Sequence, residues 1–126
     1  MKRALVMALL LAGCRGDSGL GPTPGILVIS LTRPGTTDGA VVLTLSGGPV
    51  TAVHAPAGYQ ITSNSDGAGT HVLLVGDLRT GTVATVEIPD IAQALAYVAA
   101  VEQVADRTTF ALLDAGPYRA TITVGP

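Results

Sequence analysis

Cysteine occurs once in the 126 residues, at Cys14, so no intramolecular disulfide can staple this chain. Tryptophan is absent, phenylalanine occurs once (Phe110) and tyrosine three times (Tyr59, Tyr97, Tyr118). That leaves little for the aromatic platforms on which sugars stack. Lysine is confined to Lys2, and Arg15, Arg33, Arg79, Arg107 and Arg119 stand singly, so no basic cluster exists to recruit nucleic acid or anionic lipid headgroups. The only histidines are His54 and His71, and with Cys14 far away at the N-terminus they lack the third and fourth ligands of a zinc site. No apolar run reaches the roughly 20 residues needed to span a bilayer as a helix.

What is present begins at the N-terminus. Lys2 and Arg3 form a positive start, residues 4–11 an apolar stretch, and Ala12-Gly13 the small residues that a signal peptidase requires. Residues 1–13 therefore read as a signal peptide, expected to be helical. Leu11-Ala12-Gly13-Cys14 resembles the lipobox of bacterial lipoprotein precursors. The resemblance implies cleavage between Gly13 and Cys14, a diacylglyceryl group on the Cys14 sulfur, and an acylated new amino terminus. Several fatty acyl chains make physical sense, because one chain gives only marginal binding at about 0.8 kcal/mol per buried CH₂. Arg15 stands where an inner-membrane retention signal carries Asp, so the resemblance favours an outer membrane. Cleavage removes Lys2 and Arg3 from the seven basic residues and leaves five against nine acidic ones.

Residues 14–24 follow as the lipidated cysteine and a polar, Gly- and Pro-rich tether. Two short patterns inside it are coincidental. Arg15-Gly16-Asp17 spells an integrin-binding tripeptide, yet it abuts the lipidated residue. Gly16-Asp17-Ser18-Gly19 spells a protease nucleophile loop, yet no catalytic His and Asp precede it.

Residues 25–126 make one domain with chain enough to bury a core. From residue 26 the hydrophobic pattern has period two, the mark of half-buried strands. Residues 26–32 direct Leu27, Ile29 and Leu31 to one face; residues 40–46 direct Val41, Leu43 and Leu45. Strands are also expected over 50–55, 59–62, 82–88 (Ala84, Val86, Ile88 inward), 108–113 and 118–124 (Tyr118, Ala120, Ile122, Val124 on one face). Residues 63–69 (SNSDGAG) read as a loop. Residues 70–76 are apolar on both faces, which predicts a central strand. Residues 90–106 carry two competing patterns. Asp90 with Gln93 resembles a helix capping box and Ile91, Leu95, Val98 and Ala105 fit one helical face, while the residues from Tyr97 onward also alternate. With β structure on both sides, a short turn over 90–94 and a strand from about Tyr97 is the expected outcome. Eight or nine short strands describe an all-β antiparallel sandwich.

The run Asp38-Gly39-Ala40-Val41-Val42-Leu43-Thr44-Leu45, the strand pair within 50–61, and Gly81-Thr82-Val83-Ala84-Thr85-Val86-Glu87-Ile88 resemble the rhythm of cohesin-like, jelly-roll modules of bacterial extracellular proteins. The resemblance covers about half of the domain and contains no functional residue to carry over. It implies a fold class and a role in binding other proteins.

The residue types that carry chemistry stand singly in this sequence. His54 and His71 fall on strands. Asn64, Asp66 and Gly67 share the start of a calcium loop but lack its closing acidic ligand. Glu87, Asp90, Glu102, Asp106 and Asp114 show no spacing that pairs two carboxylates for glycoside hydrolysis. Ser46 beside Gly47-Gly48 lacks a nucleophile-elbow frame. The expected function is accordingly a non-enzymatic interaction or structural module of the cell envelope, without cofactor or metal, held to the membrane through Cys14 and meeting a protein partner there. A carbohydrate-binding module is the alternative, and a small extracytoplasmic hydrolase the second. A binding module predicts a contiguous exposed apolar or aromatic patch; a purely structural one predicts a surface covered by Thr, Ser and charge.

Overall fold

A computed structural model describes residues 21–34, 37–67 and 69–125. The signal peptide expected over 1–13, the expected cleavage between Gly13 and Cys14 and the expected lipidation of Cys14 lie outside them. Nine strands form two wholly antiparallel sheets: β1 (Gly25–Thr32), β2 (Asp38–Ser46), β3 (Ala52–His54), β4 (Gln60–Asp66), β5 (Gly69–Val75), β6 (Gly81–Ile88), β7 (Val98–Asp106), β8 (Leu112–Leu113) and β9 (Arg119–Val124). One sheet runs β3-β6-β1-β9 and the other β4-β5-β2-β7-β8. The chain changes sheet at almost every connection, so each local alternation feeds the same core. Leu27, Ile29 and Leu31 from β1 meet Val41, Leu43 and Leu45 from β2, with Val72 and Leu74 from β5 and Val86 and Ile88 from β6, all buried. A buried aliphatic side chain of this kind contributes about 1.5–3 kcal/mol. Among the described residues no helix is long and apolar enough to cross a membrane.

Three bulges interrupt the period of two. Between Ile29 and Ser30 the register to β6 skips Val83, so Val83 and Ala84 are buried side by side. The pairing of β2 with β7 skips Glu102 on β7, which reverses the phase of that strand. Ala99 and Val101 face the core before the bulge and Val104 after it. The same pairing skips Gly39 on β2.

Residues 91–96 form a 3-10 helix, Ile91–Ala96, whose N-cap Asp90 accepts a hydrogen bond from the Ala92 N–H at 3.1 Å. β7 follows directly, as the neighbouring strands led one to expect. Two expectations need correction. The stretch 63–69 is not a loop: β4 continues to Asp66 and turns tightly into β5, because Asn64 and Ser65 find ladder partners in His71 and Thr70. The strand expected over 108–113 shrinks to Leu112–Leu113, since Asp106 draws residues 107–110 into a hairpin loop.

The helix packs against the turn after β2. A Cβ built on Gly47, whose φ is +109°, falls 1.9 Å from the Ala96 carbonyl oxygen. Both backbone strain and steric overlap therefore oppose a side chain there. Gly47→Ala is expected to cost about 2–3 kcal/mol, read as a lowered urea midpoint with an unchanged slope.

Register fixes which end of the molecule is which. Gly25, Ile88, Ser46 and Val98 lie at the end where residues 21–24 enter. Thr23 is held there, its carbonyl accepting the Ile91 N–H at 2.8 Å. Thr32, Gly81, Asp38, Val75 and Asp106 lie at the far end, about 25 Å away by the rise of an eight-residue strand.

Candidate functional site: an apolar trough at the far end

The polar residues singled out in the sequence are occupied locally. His54 Nε2 lies 2.5 Å from Glu87 Oε2 across β3 and β6, an exposed pair. His71 bridges two strands: Nε2 is 3.0 Å from Asp66 Oδ2, and Nδ1 3.2 Å from Thr44 Oγ1. Because an ionised carboxylate only accepts, Nε2 carries the proton and, in the neutral ring, the Thr44 hydroxyl donates to Nδ1. The order hydroxyl, imidazole, carboxylate is that of a nucleophile relay. Thr44, however, is in register with His71 on one side and Ala100 on the other, so the N–H groups around it belong to ladders and form no oxyanion hole.

Asp66 also accepts the Gly69 N–H at 3.1 Å, which makes Asn64, Asp66 and Gly67 parts of a hairpin end. Asp90 caps the 3-10 helix, Asp114 accepts the Gly116 N–H at 3.0 Å, and Glu102 stands exposed on its bulge. The carboxylates are thus dispersed, each beside its own local partner or solvent. Among the described residues no three His, Cys, Asp or Glu side chains gather where they could hold a metal ion. Tyr97 and Tyr118 are buried, and burial raises the pKa of both hydroxyls. The Tyr97 hydroxyl donates to the Pro49 carbonyl at 2.6 Å. Tyr59, half-buried, accepts the Arg79 N–H at 3.0 Å.

The feature that stands apart is apolar. On the outer face of the five-stranded sheet, at the far end, a trough of about 500 Å³ has a floor of Gly39, Ala40, Gly76 and Ala105. Leu73 and Val75 of β5 wall one side and Phe110 the other, and Leu112 lines an adjoining smaller hollow that shares Ala40, Leu73 and Ala105 with it. Phe110 is 80 % exposed and Leu112 69 %, while Leu73 and Val75 are about two-fifths exposed. The volume lies in the range of ligand-binding clefts, which are likewise mostly apolar with few polar groups. The polar side chains that line the trough, Asp106 and Arg107, carry opposite charges, and Arg107 reaches Asp77 at 2.5 Å.

The backbone holds Phe110 in place at a cost. Its φ is +62°, the left-handed region that a bulky residue seldom enters. Asp106 fixes this geometry. Its Oδ1 accepts the N–H groups of Thr108 and Thr109 at 2.8 and 2.9 Å, and its carbonyl accepts the Phe110 N–H at 3.0 Å. The Asp106 N–H donates to Ala111 at 2.8 Å, closing the hairpin. Gly39 supports it from below: a Cβ there would sit 2.4 Å from Arg107 Cβ, so only glycine lets the hairpin lie this close to β2.

The hydrogen bonds from Thr109 and Thr108 hold the Asp106 carboxyl below its ordinary pKa of 3.8. A lowered folded value means that its contribution is complete above the ordinary value and drains away as pH falls through the lowered one. Hydrogen exchange at the amides of Thr108, Thr109 and Phe110 is therefore expected to speed up, relative to the core strands, below about pH 4.

Comparison with known proteins finds no match to this chain among family models, curated proteins or solved structures. The class that fold and site define is an all-β, two-sheet protein with a solvent-facing apolar trough at the end opposite residues 21–24.

Proposed function

We propose that this chain is a lipid-anchored, extracytoplasmic interaction module, a β-sandwich of the cohesin-like, jelly-roll type that binds a protein partner in the bacterial envelope and catalyses no reaction. The observation that carries the reading is the contiguous exposed surface of Phe110, Leu112, Leu73 and Val75 around the trough. A structural lipoprotein has no use for an aromatic wedge kept solvent-facing on strained backbone. A binding module does, because wedges of this kind become the buried anchors of interfaces. The anchor rests on Leu11-Ala12-Gly13-Cys14, and Arg15 after it favours the outer membrane. With the tether entering at one end and the trough at the other, the binding face is carried away from the bilayer.

Two measurements on protein extracted from its native envelope test this. Intact mass should show loss of residues 1–13 and acyl groups on Cys14; an unmodified Cys14 overturns the anchor. Chemical crosslinking in the envelope should give an adduct that Phe110→Ala weakens at least tenfold. An adduct insensitive to Phe110 moves the binding site elsewhere, and none at all returns the protein to a structural role.

A further inference from the structure

We propose that the occupant of the trough is a second copy of this chain, two protomers meeting about a two-fold axis with each Phe110 seated in the other's trough. The inference rests on the binding reading above and names its partner. Its ground is that one face carries both halves of an interface. Phe110 projects as an apolar knob, and beside it the Ala40 and Ala105 floor leaves a recess that an aromatic ring fills. A two-fold operation brings each knob over the other copy's recess, which is the self-complementarity an isologous contact requires.

Charge agrees. A surface of one sign repels its own copy, whereas this end carries Asp77 and Asp106 with Arg79 and Arg107. Asp77 pairs with both Arg79 and Arg107 inside each protomer, so the charges at this end cancel and two copies meet without like-charge repulsion.

Area sets the strength. Phe110, Leu112, Leu73 and Val75 together expose roughly 400 Å² of apolar surface, about half of what one side of a standard stable interface buries. The contact is therefore weak between free molecules and depends on concentration. Tethering favours the contact when both copies sit on one bilayer, since confinement to a common layer raises the concentration of each relative to the other. An axis running along the strands places both tether ends on the same side, as a shared bilayer demands.

The test is photocrosslinking of the full chain in its native envelope, with Leu112→p-benzoylphenylalanine. The expected product has twice the monomer mass, yields peptides of this chain alone, and falls at least tenfold with Phe110→Glu. Leu95→Glu, at the almost fully exposed Leu95 near the tether end, leaves it unchanged. Phe110→Gly serves beside Phe110→Glu so that loss of the product cannot be assigned to misfolding, each variant being checked for a retained melting transition. An adduct containing another protein overturns the second copy and leaves the binding reading standing. A folded protein that gives no adduct overturns both.

Discussion

Replacing Asp38 by alanine is expected to remove about 3–5 kcal/mol of stability, a large share of the roughly 5–15 kcal/mol that holds a domain together. Asp38 is completely buried, and Arg33 is nearly so. The Arg33 Nε–H donates to both carboxylate oxygens at 2.8 and 2.9 Å, and Nη2 donates to Oδ1 as well. That hydrogen bonding to Asp38 raises the arginine's pKa further still. Truncating the acid leaves a guanidinium without its counter-charge where only about a tenth of its side chain meets water. The same reasoning makes Arg33→Ala comparably damaging and predicts strong coupling between the two. Arg33→Leu combined with Asp38→Leu should lose much less than the two alanine variants together, because an apolar pair replaces the ions without stranding either. Urea unfolding of the four proteins checks this. A midpoint for Asp38→Ala within error of wild type would mean that the pair is solvated. The effect extends to the trough, because Gly39 and Ala40 follow Asp38 directly and the Thr37 carbonyl accepts the Arg107 N–H at 2.7 Å.

Much of the sheet structure was legible because one face of each strand must be buried. Leu27, Ile29 and Leu31, then Val41, Leu43 and Leu45, alternate without interruption and lie in the core as the pattern demands. Illegibility began at the bulges. Val83 shares a strand with Ala84, Val86 and Ile88 but not their parity, and it is buried because the ladder gains a residue there. The same device at Glu102 reverses the phase of β7 without any residue type that marks it, and the competing helical face of Ile91, Leu95, Val98 and Ala105 does not pack as one, since Leu95 and Val98 face solvent. Polar composition misled at Ser63 to Asp66. Residues rich in turn chemistry formed a strand because β5 offered them a full set of ladder partners.

The trough was half visible. The run Thr70 to Gly76 is apolar on both faces, which predicts a central strand. β5 does lie between β4 and β2, but Leu73 and Val75 face solvent. The second apolar face was the signal, and it marked an uncovered surface rather than a second layer. The opposite wall left no such trace. Phe110 sits in a stretch that looked like a strand, and only the closure of the hairpin by Asp106 turns it outward. A capping carboxylate four residues earlier is a weak pattern in one sequence, since Asp serves turns of many kinds.

Phe110→Gly is expected to separate stability from binding, with the self-association and any envelope crosslink falling at least tenfold while the fold becomes no less stable. Left-handed backbone costs a non-glycine residue about 1–2 kcal/mol, and at φ +62° glycine relieves that cost. The greater freedom of glycine in the unfolded chain returns roughly 0.5–1 kcal/mol of it. The ring is 80 % exposed, so little core packing is lost, and the net change should be near zero or mildly stabilising. Phe110→Ala removes the same wedge but keeps the strained backbone, so it should lose binding to a similar degree without any gain in stability. The pair of variants thus tells a functional residue from a structural one. If Phe110 were retained for packing, glycine would be the more damaging of the two; if it is retained for the contact, glycine is the more stable and equally inactive. Denaturant midpoints read beside crosslinking yields decide between them.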